Sequence, residues 1–272
     1  MEPAGVPEPV RVQPGEGPVI LAFPHVGTGL PPEVAARLNA EGRLVRDTDW
    51  HIHELYAGLI PGLTTVTATQ SRYVIDLNRD PSGASLYPGQ TTTGLIPETT
   101  FDNVPIWQEG RAPDAAEIAR RLDQVHRPYH AALMAEVERV RARHGVAVLY
   151  DCHSIRSEIP WLFPGTLPDL NIGTNGGTSC APEIEAAVAG IAAASGHSWV
   201  LNGRFRGGWT TRHYGQPGSG VHAIQMELAQ ASHLASEAPP FALDPAKAAH
   251  LQTTLTKILA ALADIAPRLA RT

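Results

Sequence analysis

The sequence has little of what marks several large classes of protein. It holds two cysteines, Cys152 and Cys180, in 272 residues, too few for a disulfide framework. There is no Cys pair at zinc spacing, no His-Glu-x-x-His, and no Gly-Lys-Ser/Thr ending of a phosphate loop. No apolar run approaches the roughly 20 residues needed to cross a bilayer. Charged residues make up 18% and the formal net charge is -6. Neither nucleic acid nor a membrane is therefore indicated as a partner. The opening MEPAGVPEPVRVQPGEGP is acidic and Pro/Gly-rich. It lacks a basic segment followed by an apolar one, so it does not read as a signal peptide. A cytoplasmic enzyme fits these features. Cys152 reads as a small buried residue rather than a nucleophile, because free Cys usually packs as an apolar group.

What is present is a large apolar fraction, 43%, enough for a substantial core. The 24 prolines and 25 glycines imply long, shaped loops, where functional residues concentrate. The stretch Val146 to Ser157, VAVLYDCHSIRS, organises the rest. Five apolar residues read as a strand buried on both faces. It runs into Asp151, His153, Ser154 and Arg156. Ligands collect beyond the carboxyl ends of strands in open α/β sheets, and Asp151 is close enough to orient His153. Alone, this could be a capped turn with a hydrogen-bonded histidine. The same pattern recurs, however.

We read residues 1–17 as a flexible lead-in and 18–272 as a single domain. Strands are expected at Pro18–Phe23, Leu63–Thr69, Tyr73–Leu77, Trp199–Leu201 and Val221–Leu228. A helix is expected from Arg46–His51 to about Leu59, with Asp47, Thr48 and Asp49 as caps. Asp114 caps a long helical region to Arg143, with Ile118, Leu122, Val125, Leu133, Val137 and Val140 at helical spacing. Pro128 is expected to divide or kink it, and Gly145 to stop it. Ala181–Ala194 and Pro245–Leu269 are further helices, the last capped by Asp244. Pro88–Pro113, Ile159–Thr178 and Trp209–Gly220 read as loops, the first long enough to suggest a lid. Strands alternate with helices, so the class is α/β, with a mainly parallel or mixed sheet covered on both faces.

Four strand ends and one helix start then converge: His25, Asp49, Asn78 with Arg79, His153 and Glu227. A catalytic zinc site takes three ligands from His and carboxylate and keeps a fourth position open. His25, Asp49 and His153 can supply them, with Glu227 as the separate general base. Asp47 competes with Asp49, and Asp47 as helix cap with Asp49 as ligand is preferred. His51 and His53, two apart, cannot share one helical face. Arg72, Arg79, Arg156, Arg204, Arg206 and Arg212 lie near strand ends and Gly-rich loops. Guanidinium groups grip carboxylates in a bidentate fork, which suits a small substrate with two carboxylates. The run from Asn202 to Gly208 adds glycines that let backbone approach a ligand.

PHVGTG, RDTDWH, SRYVIDLNRD, LYPGQ, YDCHSIRS, LPDLNIGTNGGTSC, NGRFRGGWTTRHYG and HAIQMEL resemble, in order and from about residue 19 to 255, the N-formylglutamate amidohydrolases of histidine degradation. That family is similar in fold to zinc carboxypeptidases. The resemblance implies a three-layer α/β/α sandwich around a mixed, mainly parallel sheet, with one divalent metal ion, Zn2+, held by His25, Asp49 and His153. It implies Glu227 as base, and Asn78 and Arg79 at a substrate carboxylate or the developing oxyanion. Carboxypeptidases carry a Glu three residues after the first His; here that position is Thr28, so the carboxylate ligand must come from elsewhere. The implied reaction is hydrolysis of N-formyl-L-glutamate to formate and L-glutamate, with Arg72, Arg156, Asn202, Arg204, Arg206 and Arg212 as candidate substrate contacts. The alternatives are a metal-dependent deacylase of another N-acyl amino acid, a peptide carboxypeptidase, or a non-catalytic dicarboxylate-binding protein. The chain is expected to act as a monomer or homo-oligomer.

Overall fold

Continuous apolar runs belong in the middle of a sheet, where both faces are covered, and the two longest strands lie there. In a computed structural model describing residues 8–84 and 92–270, the chain forms β1 (Val10–Gln13), β2 (Val19–Phe23), α1 (Pro32–Ala35), α2 (Ile52–Tyr56) and β3 (Thr64–Ala68). A long helical stretch follows: α3 (Ala115–Arg121), a π-helical turn (Leu122–His126) and α4 (Arg127–His144). Then come β4 (Ala147–Ile155), β5 (Leu170–Gly173), α5 (Pro182–Ala193), β6 (Trp199–Leu201), α6 (Trp209–Tyr214), β7 (Val221–Ala229) and α7 (Pro245–Leu269). The strands make one sheet in the order β1-β3-β2-β4-β7-β5-β6. The β3–β2–β4–β7 ladder and the β5–β6 pair are parallel; β1–β3 and β5–β7 are antiparallel. The mixed, mainly parallel sheet expected from the sequence is what forms.

Side chains alternate across β4, and each set has its own core. Ala147 and Leu149 pack with Ile20, Ala22 and the α4 residues Leu133, Val137 and Val140. Val148, Tyr150 and Cys152 pack with Ile184 and Val188 of α5 and Leu251, Leu255, Ile258 and Leu262 of α7. Helices thus cover both faces, giving the three-layer sandwich. Asp114 caps α3 by accepting from the Glu117 amide, Gly145 closes α4 at a φ of 74°, and Asp244 caps α7.

Five expectations are corrected. Val10–Gln13 is not part of a flexible lead-in: it alternates in burial and pairs with β3, Val10 opposite Ala68. Residues 1–7 of that lead-in lie outside the described residues. Tyr73–Leu77 is buried but is a series of turns, not a strand; β1 already occupies the outer side of β3, so its carbonyls turn to side chains instead. The loop expected at Ile159–Thr178 contains β5, and that at Trp209–Gly220 contains α6. Asp47, Thr48 and Asp49 cap nothing: α2 starts at Ile52, after His51 at a left-handed φ of 60°, and is only five residues long. The expected division of the long helical region is observed: Pro128 falls in the first turn of α4, directly after the π-helical turn that separates it from α3. Of the Pro88–Pro113 loop, residues 88–91 lie outside the described residues.

Candidate active site

The sheet changes character along its length. Ala147, Leu149, Val221 and Ala223 belong to the apolar core under α4. Two and four residues further on, the same faces carry Asp151 and His153 on β4, and Gln225 and Glu227 on β7. The parallel register sets Asp151 beside Gln225 and His153 beside Glu227. His25 follows the end of β2. All of this lies at the carboxyl ends of the central strands, where ligands of open α/β sheets bind.

Asp49 draws the strand ends together. Its amide donates to the His25 carbonyl at 3.0 Å. Its Oδ2 accepts from the Ser154 amide at 3.0 Å and lies 3.2 Å from His153 Nδ1 and 3.8 Å from His25 Nδ1. The rings of His25 and His153 have centroids 4.9 Å apart. Ligand atoms of His25, Asp49 and His153 fall within 4.8 Å of one another, with all three side chains buried. His25 Nδ1 and Asp49 Oδ1 are buried without a hydrogen-bond partner. Orphaned donors or acceptors this deep are costly, and a cation at the centre of the three would satisfy both.

The far side of each imidazole faces an acid. His25 Nε2 lies 2.7 Å from Asp76 Oδ1 and His153 Nε2 lies 3.0 Å from Asp151 Oδ1. Carboxylates behind ligating histidines fix ring orientation and raise ligand basicity. Asp151 was legible as an orienter in the sequence. Asp76 was hidden inside the apolar run read as a strand; an acid flanked by Val74, Ile75 and Leu77 was its only signal. Asn78 Nδ2 also stands 3.1 Å from His153 Nε2, and its Oδ1 accepts from the Thr210 amide at 2.8 Å. A Cβ on Gly208 would come within 2.2 Å of Asn78 Nδ2, so only glycine lets α6 begin there.

The charges are unevenly shared. Burial opposes ionisation of Asp76, but Arg72, Arg79 and His25 overcome it and hold the carboxyl well below its usual range. Burial likewise opposes ionisation of Asp49, and the hydrogen bond from His153 with the charges of His25, His153 and Arg72 holds it low. For His153, burial is outweighed by Asp151, Asp49 and Glu227, and its pKa is raised. His25 is lowered by burial and by Arg72. Glu227 is pushed up to about 8, chiefly by burial. Its Oε2 accepts from Gln225 Nε2 at 2.9 Å, and Gln225 Oε1 is fixed by the Gly208 amide at 2.7 Å. Asp47, the alternative ligand, accepts instead from Tyr73 Oη and the Phe101 amide.

These groups open onto a cleft of about 300 Å³ lined by His25, His153, Glu227, Gln225, Asn78, Arg72, Arg79 and Arg204, with Phe101, Ile155, Leu162 and Phe205 as apolar wall. Arg72 is engaged by Asp76 at 2.7 Å and lies 3.7 Å from Asp49. Arg79 reaches Thr93 and the Asn78 carbonyl, and Arg204 the Leu162 carbonyl. Four candidate substrate contacts are not among the lining residues. Arg156 pairs with Asp102 at 2.6 Å. Asn202 sits at a left-handed φ of 51° and ties its turn to Thr174 and Gly176. Arg206 is exposed, and Arg212 donates to the Gly207 carbonyl. Of that loop's glycines, Gly207 takes a left-handed φ of 110° and Gly208 lines the cleft. His51 bonds to Glu54 and the Phe241 carbonyl, outside the cleft.

Comparison with known proteins agrees with this fold. The profile of the N-formylglutamate amidohydrolase family matches residues 17–234. An N-formylglutamate deformylase of Pseudomonas aeruginosa is 50% identical over 227 residues, covering 83% of this chain and 85% of the relative. One of Pseudomonas putida is 46% identical over 250 residues, covering 91% and 93%. A crystal structure of N-formylglutamate amidohydrolase from Ralstonia eutropha superposes with a TM-score of 0.80 at 27% identity, covering 96% and 99%. A gene product of Agrobacterium tumefaciens, 18% identical with a TM-score of 0.73, shares the fold.

Proposed function

The chain belongs to the N-formylglutamate amidohydrolase family, and from that premise we propose that its cleft hydrolyses N-formyl-L-glutamate to formate and L-glutamate with one divalent cation held by His25, Asp49 and His153. The observation that carries this is the buried His–Asp–His triangle, with unpartnered His25 Nδ1 and Asp49 Oδ1, beside a carboxylate on the neighbouring strand. A mixed imidazole and carboxylate set suits Zn2+. Bound there, the ion supplies a water acidic enough to ionise near neutrality and an electrophile for the formyl oxygen.

The chain's own groups do the rest. Glu227, which the neighbouring cation would keep ionised against its burial, takes the proton of the attacking water and returns it to the departing amine. Gln225 holds one carboxylate oxygen of Glu227, leaving the other for that exchange. Arg79 and Asn78 stabilise the negative charge that develops on the formyl oxygen. Arg204 receives a substrate carboxylate. Arg72 balances Asp76 and Asp49. In the same reading the enzyme is cytoplasmic, works on a small molecule as a monomer or homo-oligomer, and closes histidine degradation; no described helix is long and apolar enough to cross a membrane.

Formate and free amine release should be measured for N-formyl-, N-acetyl- and N-succinyl-L-glutamate with the metal-loaded protein. Strong preference for the formyl substrate is expected. Comparable rates on all three would overturn the deformylase reading in favour of a general N-acyl amino acid deacylase.

A further inference from the structure

Two histidines behind the cleft have no part in the chemistry just described. His126 and His130 are 2% and 9% exposed, and neither lines the cleft. His126 Nε2 lies 3.1 Å from the Arg79 carbonyl and His130 Nε2 lies 2.8 Å from the Leu77 carbonyl. A carbonyl only accepts, so both Nε2 atoms carry the proton. His130 Nδ1 faces Tyr214 Oη at 3.0 Å. The two histidines therefore grip the backbone on either side of Asn78.

The gripped segment needs this. Val74 to Arg79 has neither helical nor strand pairing, so its buried carbonyls must find other donors. One helical stretch supplies them: Arg121 to the Val74 carbonyl at 2.8 Å, then His130 and His126. In an α-helix, positions five apart, such as 121 and 126, stand about 140° apart at about 100° per residue. The π-helical turn Leu122–His126 accommodates one extra residue and returns both to one face. Such turns are rare and concentrate at functional sites. The far side of His130 packs edge-on against Trp209 at 4.6 Å. Trp209 opens α6, the helix whose Thr210 amide holds Asn78.

We propose that His126 and His130 are positioning residues: brought to one face by the π turn, they clamp the Leu77 and Arg79 carbonyls and so aim Asp76, Asn78 and Arg79 at the metal ligands and the substrate. The inference rests on the proposed active site, but one of its readouts does not depend on the substrate.

His126→Leu removes the donor and His126→Gln retains one. Amide hydrogen exchange at Asn78 and Thr210 and turnover of N-formyl-L-glutamate are followed in metal-loaded full-length protein. The leucine variant should speed exchange at both amides by about tenfold or more relative to β4, and lower kcat by about 10- to 100-fold, as small misplacements of catalytic groups do. The glutamine variant should recover most of both. Equal behaviour of the two variants, or unchanged exchange in the leucine variant, would overturn the clamp. If wild type leaves N-formyl-L-glutamate uncut, the substrate reading fails while the exchange comparison still decides the clamp. Should His126→Leu not accumulate folded, His126→Asn, too short to reach the carbonyl, replaces it with the same expected readings.

Discussion

Asp76 is the buried acid on which most of the site leans, and replacing it with asparagine separates two effects. Its side chain is fully buried, 2.7 Å from His25 Nε2 and 2.7 Å from Arg72 Nη2. Breaking a buried ion pair by removing one partner costs about 3–5 kcal/mol. Arg72 keeps Asp49 at 3.7 Å, so the low end applies, about 3 kcal/mol. For a chain of 272 residues that corresponds to a Tm lower by about 6–12 °C. The second effect is on the metal, because loss of a carboxylate behind a ligating histidine typically weakens binding about 10- to 100-fold. The sign of the pH dependence is fixed as well. The Asp76 carboxyl is held well below its ordinary value in the fold, so its stabilisation is present above the usual carboxylate range and fades as pH falls through the lowered pKa. The gap between wild type and Asp76→Asn should be full at pH 7 and narrow in acid. Thermal unfolding across pH and metal titration against a competing chelator measure both effects. A variant with wild-type Tm at pH 7 and wild-type metal affinity would refute the reasoning.

Glu227→Gln should keep the metal and the fold while lowering kcat by about 10²- to 10⁴-fold, read by metal analysis and formate release. Arg204→Ala should lower kcat/KM by about 10-fold or more, as expected when a charged hydrogen bond of about 1.5–3 kcal/mol is lost, whereas Arg206→Ala, on an exposed residue, should leave it unchanged; steady-state kinetics distinguish them. His233 is pushed down to about 4, chiefly by burial. Between about pH 6.5 and 4 the unfolded chain binds a proton there that the fold refuses, so stability falls as pH falls through that window. Denaturant unfolding of His233→Gln should show an acid slope shallower by about 1.4 kcal/mol per pH unit; parallel slopes would contradict this.

Much of the site was legible because its members end buried apolar runs. His25 follows VILAF, His153 follows VAVLY, and Glu227 interrupts Ile224–Leu228, so the polar residue itself marks the strand's functional end. Asp49 was preferred over Asp47 as a ligand, although nothing in RDTDWH itself separates a ligand from a cap. What stayed hidden was held together by side chains rather than by a backbone ladder. Tyr73–Leu77 has the composition of a strand, and periodicity cannot distinguish a strand from buried turns whose carbonyls are met by Arg121 and His130. Nor does a helical pattern reveal the single extra residue of the π turn that brings those partners into line. The Asn202–Gly208 loop was legible only in part. Glycines that shape a turn and glycines that line a cleft look alike in sequence: Arg204 and Gly208 line the cleft, whereas Asn202 ties the loop to Thr174 and Gly176. β5 is four residues long, below the length at which alternation becomes a signal.

The most direct test is anomalous diffraction from a zinc-loaded crystal at the metal's absorption edge. The expected result is a single strong peak within about 2.0–2.2 Å of His25 Nδ1, His153 Nδ1 and a carboxylate oxygen of Asp49. A peak elsewhere, or no ion bound among these three side chains in protein that still releases formate, would contradict a metal centre at the ends of β2 and β4.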